Sequence, residues 1–314
     1  MITKKTLFIL GAGASCPFKF PTGQELLEKI VEVLDTKSNY SFALENYANL
    51  TPEKLKIFEH CGHSFPTMKL LRDNLIKSQK RSIDAFLEHR QEFIPLGKLL
   101  IAKVLLEYEN LDAIYSNPDW YNYIWNKMNG RFEDFDKNNV SFVTFNYDRS
   151  LETYLINSMV ALYNKSIENC YEKLSKIPII HVHGKLDDLD FQNPGSFTSF
   201  GQKIDNYLDL KKASEKIKIV HENLDNDEEF KKAHSLIRDA EKIIILGFGY
   251  DETNMHRLKL NESQAVIIGS CYGFTSNERT EIISRYRECG TVFNIPVAMD
   301  HTVLDFLRHH ITLR

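Results

Sequence analysis

Four short stretches of the chain carry side chains that could do chemistry. Gly11-Ala12-Gly13-Ala14-Ser15 has no bulky side chain. Its backbone can turn sharply and present amide N–H groups to a phosphate. Thr144-Phe145-Asn146-Tyr147-Asp148 brings an amide and a carboxylate close together. Asn146 offers an acceptor and donors from one side chain. His181-Val182-His183-Gly184 supplies two imidazoles, whose ordinary pKa near ~6.5 leaves a neutral base at neutral pH. Gly247-Phe248-Gly249-Tyr250-Asp251, with Asn254 close behind, would let a ligand lie near the backbone. Each stretch also has a plainer reading. The first glycines could form a tight turn that binds nothing, and Asn146 could be a turn residue. Asp148 could cap the helix that follows it. A strand-end histidine is commonly a satisfied polar group, and Tyr250 and Asn254 could serve packing. Cys16 reads as a small filler, since no basic neighbour would activate it.

These stretches become a site only if the fold brings them together. Leu7-Phe8-Ile9-Leu10 reads as a buried strand of a parallel sheet running directly into the glycine turn. After a loop from Cys16 to Pro21, Thr22 can cap a helix with Leu26, Leu27, Ile30, Val31 and Leu34 at helical spacing. Strand, glycine turn and helix form the opening of a Rossmann-like nucleotide-binding fold, although Cys16 stands where the third glycine of G-x-G-x-x-G would be. Further strands are expected at 140–145, 178–184, 243–246 and 265–269, and a sixth at 292–295. Helices are expected from Leu151 through Met159, around 212–224 and 228–240, and at 276–286. Alternating strands and helices imply a parallel sheet with ligands at the strands' carboxyl ends, where all four stretches fall. His181 and His183, two residues apart on one strand, should share a face, and only the one at the strand's end should reach the crevice.

The block 36–139 differs, with helical periodicity and almost no strand signal. Thr51-Pro52-Glu53 reads as a helix start, and Leu70, Leu71, Asn74 and Leu75 suit another helix. Ser82-Ile83-Asp84 opens a long apolar segment through Leu106, wide enough in its stripe to be buried. Asp84 lies near a helix start, where it could act as a cap. The polar stretch 130–139 reads as a linker. The expected organisation is a nucleotide-binding core, 1–35 and 140–314, with a helical module at 36–139.

Composition narrows the function classes. The chain has 314 residues, 43% hydrophobic and 26% charged, with a formal net charge of −4. That balance gives no electrostatic footprint for nucleic acid. No apolar run approaches the roughly 18 residues of a membrane span. Lys4 and Lys5 lead straight into a strand, which does not suit a signal peptide. Cys16, Cys61, Cys170, Cys271 and Cys289 lie far apart with no C-x-x-C pair. This points to a reducing cytoplasm, and away from disulfides or a structural zinc. No Asp or Glu ends a second strand about 20 residues past the glycines, so a plain dehydrogenase is disfavoured.

In their order, Gly11-Ala12-Gly13-Ala14-Ser15, Thr144-Phe145-Asn146-Tyr147-Asp148, His183-Gly184 and Gly247-Phe248-Gly249 resemble the blocks of the sirtuin fold. The nearer likeness is to the bacterial SIR2-like group, which shares Ser-Ile-Asp-x-Phe-Leu (Ser82 to Leu87) and Gly-Phe-Gly-Tyr-Asp followed by Asn254. The likeness runs from Leu7 to Asn254. It implies a sirtuin-type Rossmann-like sheet with a helical insertion in place of the zinc domain. It also implies NAD+ as substrate, no metal, and a catalytic histidine directly before glycine, His183 and not His181. Asn146 would fix the ribose hydroxyls and the incoming water. Gly11, Ala12, Gly13, Ala14, Ser15, Thr144, Asp148, Gly247, Phe248, Gly249, Tyr250 and Asn254 would line the nucleotide site, with Asp84 facing the nicotinamide.

Bacterial proteins of this build are often NAD+ glycohydrolases that deplete NAD+ in antiphage defence, a form of abortive infection. The expected activity is therefore cleavage of NAD+ to nicotinamide and ADP-ribose in a bacterial cytoplasm. The alternatives are a zinc-free NAD+-dependent deacylase or ADP-ribosyltransferase, and a silent nucleotide-binding sensor subunit. An unregulated NAD+ hydrolase would kill its host. A homo-oligomer, or a hetero-complex with a separately encoded sensor or activator, is therefore expected, with the insertion or the surface beside it as the interface.

Overall fold

The computed structural model describes residues 1–35, 53–116, 118–195, 198–204, 206–219, 227–288, 293–294 and 300–313. Its centre is a sheet of β1 (Thr6–Leu10), β2 (Val140–Thr144), β3 (Ile179–His181), β4 (Lys242–Leu246), β5 (Val266–Gly269) and the two-residue β6 (Phe293–Asn294). The strands lie in the order β3-β2-β1-β4-β5-β6 and every pair is parallel. This is the strand order of the doubly wound Rossmann-like fold. The direction of winding reverses at β1, where Leu10 lies opposite Thr144 on one side and Leu246 on the other. A ligand crevice is expected at that reversal, outside the carboxyl ends.

Helices α1 (Gly23–Leu34), α2 (Glu53–His60), α3 (Phe65–Ser78), α4 (Ile83–Leu87), α5 (Ile94–Leu106), α6 (Leu111–Tyr115) and α7 (Trp120–Met128) precede β2. Between β2 and β4 come α8 (Ser150–Tyr163), α9 (Ile167–Leu174), α10 (Tyr207–Glu215) and α11 (Glu228–Asp239). The last three are α12 (Glu252–Arg257), α13 (Ser276–Glu288) and α14 (Val303–His310).

The alternation along the strands sends side chains into two cores. Phe8, Leu10, Phe142, Ile244 and Leu246 join α1 and the helices from Leu55 to Met128 in one cluster. Leu7, Ile9, Val143, Ile243 and Ile245 join Phe230, Ile237 and Met255 in the other. Burial on both faces is why these strands read as unbroken apolar runs rather than alternating ones. Thr22 and Glu25 form a reciprocal capping box at the start of α1, as the sequence suggested for Thr22.

Several local expectations need correction. The apolar segment from Ser82 to Leu106 is not continuous: α4 ends at Leu87, a short 3-10 turn follows, and α5 begins with Pro95 in its first turn. The stretch 130–139 is no free linker. Phe135 is fully buried, and the Asn138 side chain binds Ile2 N, Met128 O and Phe135 O. The expected strand 178–184 stops at His181. Val182 N still reaches Thr144 O, but Gly184 N turns back to His181 O with φ +69°. Strand periodicity therefore does not extend to His183. The expected helix 212–224 is instead α10, which starts earlier and ends at Glu215; the expected helix start at Thr51-Pro52 and positions 220–224 lie outside the described residues.

Candidate functional site

The glycine turn is built by contact with its neighbouring strand. Gly247 has φ +56°, and a Cβ there would lie 2.0 Å from Ala14 N. Gly13 N donates to Gly247 O at 2.9 Å, and a Cβ on Gly11 would meet that same oxygen at 2.6 Å. Gly11, Gly13 and Gly247 therefore admit no side chain where the two loops meet. Several amides expected to face a phosphate are already taken up, since Gly11 N donates to Leu246 O, Ala14 N to Gly11 O and Ser15 N to Ala12 O. Trp120 Nε1 donates to Ala14 O at 2.7 Å, so the helical block helps to fix this turn. Cys16 is a protonated thiol, pushed by burial to about 11, which fits a filler and not a nucleophile.

Asn146 is held from three directions. Its backbone N–H donates to Thr144 Oγ1 at 3.0 Å. Its side-chain NH2 donates to Gly11 O and Ser15 Oγ, both at 3.0 Å. Its carbonyl lies 2.8 Å from His181 Nδ1. Because Gly11 O can only accept, the amide orientation is fixed by the network. Oδ1 is left as the acceptor not used in these bonds. Asp148 is turned inward: Oδ2 accepts from Ser15 Oγ at 2.7 Å, and Oδ1 accepts from Ser150 N at 3.1 Å and from Ser150 Oγ. Both carboxylate oxygens thus serve the glycine turn and the start of α8. Asp148 is not the cap itself, since Arg149 holds that position, but it binds the first N–H of the helix from one residue before.

The two histidines have different surroundings. His181 is bound on both ring nitrogens, to Asn146 O and, at 2.9 Å, to Glu152 Oε1. His183 is buried, and its Nε2 has no hydrogen-bond partner. Its ring meets Phe145 edge-on at 5.0 Å and lies 6.3 Å from the Tyr147 ring. Burial, reinforced by the Arg257 charge, lowers its pKa from 6.5 to about 3. The expectation of an ordinary histidine therefore fails. This imidazole is neutral across the physiological range and is a weak base. The lowered value also ties folding to pH. Between pH 6.5 and 3 the unfolded chain binds a proton that the folded chain refuses, so this stability is complete above 6.5 and lost as pH falls. The urea midpoint of the wild type should therefore drop more steeply over that range than that of His183→Asn. Parallel curves would contradict the assignment.

Asp84 does not cap its helix. Ser82 does so, accepting from Ala85 N at 3.2 Å. The Asp84 carboxylate accepts instead from Tyr147 OH, and burial raises its pKa. One turn on, Glu88 accepts from Arg257 at 2.8 Å. α4 thus reaches from the residues after β2 to the helix after β4, passing the surroundings of His183. Tyr250 is buried, donates to Ser270 O at 2.7 Å and packs against Phe248 and Phe274. Asn254 is half-buried and its side chain accepts from Arg257 at 3.5 Å. Gly249 is exposed, with open space where a Cβ would stand.

The sequence did not single out Glu152, Glu88, Arg257 or Trp120. A carboxylate on the inner face of the apolar helix α8 was the available signal for Glu152. Among the described residues, no group of three or more His, Cys, Asp and Glu could hold a metal ion. No helix among them is long and apolar enough to cross a membrane. No protein-family model matches the chain, and neither does any curated protein.

Proposed function

We propose that the chain is a sirtuin-type NAD+ glycohydrolase, cleaving NAD+ to nicotinamide and ADP-ribose. What carries the reading is the pairing of Asn146 and His183 at the carboxyl ends of adjacent parallel strands, beside the reversal point of the sheet. Asn146 keeps a side-chain acceptor while the rest of its polar groups are fixed. His183 keeps a buried ring nitrogen without a partner.

The chemistry suits such a pair. Nicotinamide leaves as a neutral molecule from a positively charged pyridinium, so its departure needs no general acid. The ribosyl centre left behind is oxocarbenium-like and reacts readily with water. Asn146 Oδ1 would accept from a ribose hydroxyl or the incoming water and hold it in line. His183 would act as a neutral acceptor, drawing off the water's proton as the new bond forms. A strongly basic group is not required against so reactive a centre. The exposed backbone at Gly249 would lie along the adenosine half. Bacterial host, antiphage role and partner-dependent control belong to the same proposal. In it the helical block, tied to the site through Trp120, Asp84 and Glu88, transmits the effect of oligomerisation or of a separately encoded activator.

The test is to incubate the purified chain with NAD+, alone and with proteins encoded beside it, in the presence and absence of an acyl-lysine peptide. Nicotinamide and ADP-ribose should form in equal amounts without the peptide. Release that requires the peptide would make the protein a deacylase, and NAD+ bound but intact under every condition would favour a sensor.

A further inference from the structure

We propose that the basic cavity between the end of α3 and the residues after α4 binds a small ligand carrying two or more phosphates, and that its occupancy acts on NAD+ cleavage through α4. The binding stands on the cavity alone; the effect on cleavage rests on the function proposed above.

The cavity measures about 460 Å³, within the range of small-molecule sites. Lys77, Lys80 and Arg90 bring three positive charges to it, and His89 adds an imidazole. Among the described residues no carboxylate lines it. Lys77 and Lys80 are exposed and form no ion pair among the described residues. Arg90 is held in place. Its Nε donates to Glu92 Oε1 at 2.7 Å, and its Nη1 to Asn74 Oδ1 at 3.1 Å. Its guanidinium lies 6.0 Å from the Phe86 ring centre and 5.0 Å from that of Phe93. Glu92 is exposed and stands outside the lining, so it offsets only part of this charge. The rest of the guanidinium is left to bond a phosphate oxygen, with two ammonium groups to follow the others. An uncharged ligand would gain nothing from these cations, and a single carboxylate would pair with only one.

The cavity is built on α4. Phe86, which underlies the Arg90 guanidinium, sits in this helix between Asp84, bound to Tyr147, and Glu88, bound to Arg257 at 2.8 Å. The Tyr147 ring in turn lies 6.3 Å from that of His183. An anion joining Lys77 and Lys80 to Arg90 ties the end of α3 to α4. It thereby favours the arrangement in which Asp84 and Glu88 hold the site.

The test uses inorganic triphosphate and ATP as probes, in calorimetric titrations of the full chain. One triphosphate should bind per chain, and Lys77→Gln/Lys80→Gln should weaken it at least about tenfold. Lys231→Gln/Lys232→Gln, which removes the same charge from exposed positions of α11, should bind as the wild type does. ATP binding the more tightly would identify a nucleotide, and equal binding an inorganic ligand; either supports the site. No binding overturns it. So does wild-type affinity in Lys77→Gln/Lys80→Gln, the result if the anion sits at the glycine loops instead. Where the wild type cleaves NAD+, saturating triphosphate should raise kcat at least about threefold, and should not do so in Lys77→Gln/Lys80→Gln. A kcat unchanged or lowered by triphosphate overturns the coupling. If no condition yields cleavage, the functional reading falls, and the coupling is judged on hydrogen exchange of the α4 amides. Slower exchange with triphosphate bound supports it, and unchanged exchange overturns it.

Discussion

Asn146→Ala is expected to lower NAD+ cleavage by about 10²-fold or more, and His183→Ala to do the same, because each removes a group that orients or receives a proton from the attacking water. The two losses should differ in character. Asn146→Ala also breaks the bonds to Gly11 O and Ser15 Oγ, leaving polar groups that the turn had satisfied. It should therefore cost about 1–3 kcal/mol of stability as well. His183 Nε2 binds nothing in the protein, so its truncation removes packing against Phe145 and Tyr147 and no side-chain hydrogen bond of that nitrogen. The measurement is nicotinamide release per folded chain, with the folded fraction read by circular dichroism. Wild-type turnover in both variants would contradict the site.

Gly247→Ala should be the most damaging single methyl in the chain's nucleotide loops. The position has left-handed backbone, and the new Cβ would stand 2.0 Å from Ala14 N, a backbone atom that cannot swing away. Left-handed strain alone costs roughly 1–2 kcal/mol for an L-residue, and the displaced turn adds to it. A total of about 3 kcal/mol or more is expected, a fall in Tm of about 4 °C or more for a chain of this size. Gly249→Ala is the matched control, since its Cβ would meet open space. It should leave Tm nearly unchanged and raise the KM for NAD+. A Gly247→Ala protein as stable as the wild type would show that the two loops do not meet as described.

Much of this architecture can be read before folding. The strands β1, β2 and β4 announce themselves because each is covered on both faces and ends in glycine or polar residues. The cap at Thr22 follows from Thr-x-x-Glu. The site is less legible, for physical reasons. His181 and His183 have the same chemistry and differ only in what surrounds them; Glu152 and the Asn146 carbonyl hold one, and nothing binds Nε2 of the other. The pKa of His183 is set by burial and by Arg257, which lies 74 positions away in sequence and so leaves no local signal. The polar stretch before β2 hides one buried Phe and one buried Asn among charged residues, and composition averages them away. Asp84 looks like a cap by position, yet Ser82 takes that task and frees Asp84 for Tyr147.

The most direct test of the central claim, that Asn146 and His183 work on NAD+ as one site, is nicotinamide release by the wild type, the two single variants and Asn146→Ala/His183→Ala under one set of activating conditions. Groups that act as a unit give strongly non-additive losses. The account predicts that the double variant is no slower than the slower single one, with ADP-ribose and nicotinamide formed one to one by the wild type. Losses that multiply would mean that the two residues act independently, and a double variant that still cleaves NAD+ at the wild-type rate would contradict the account.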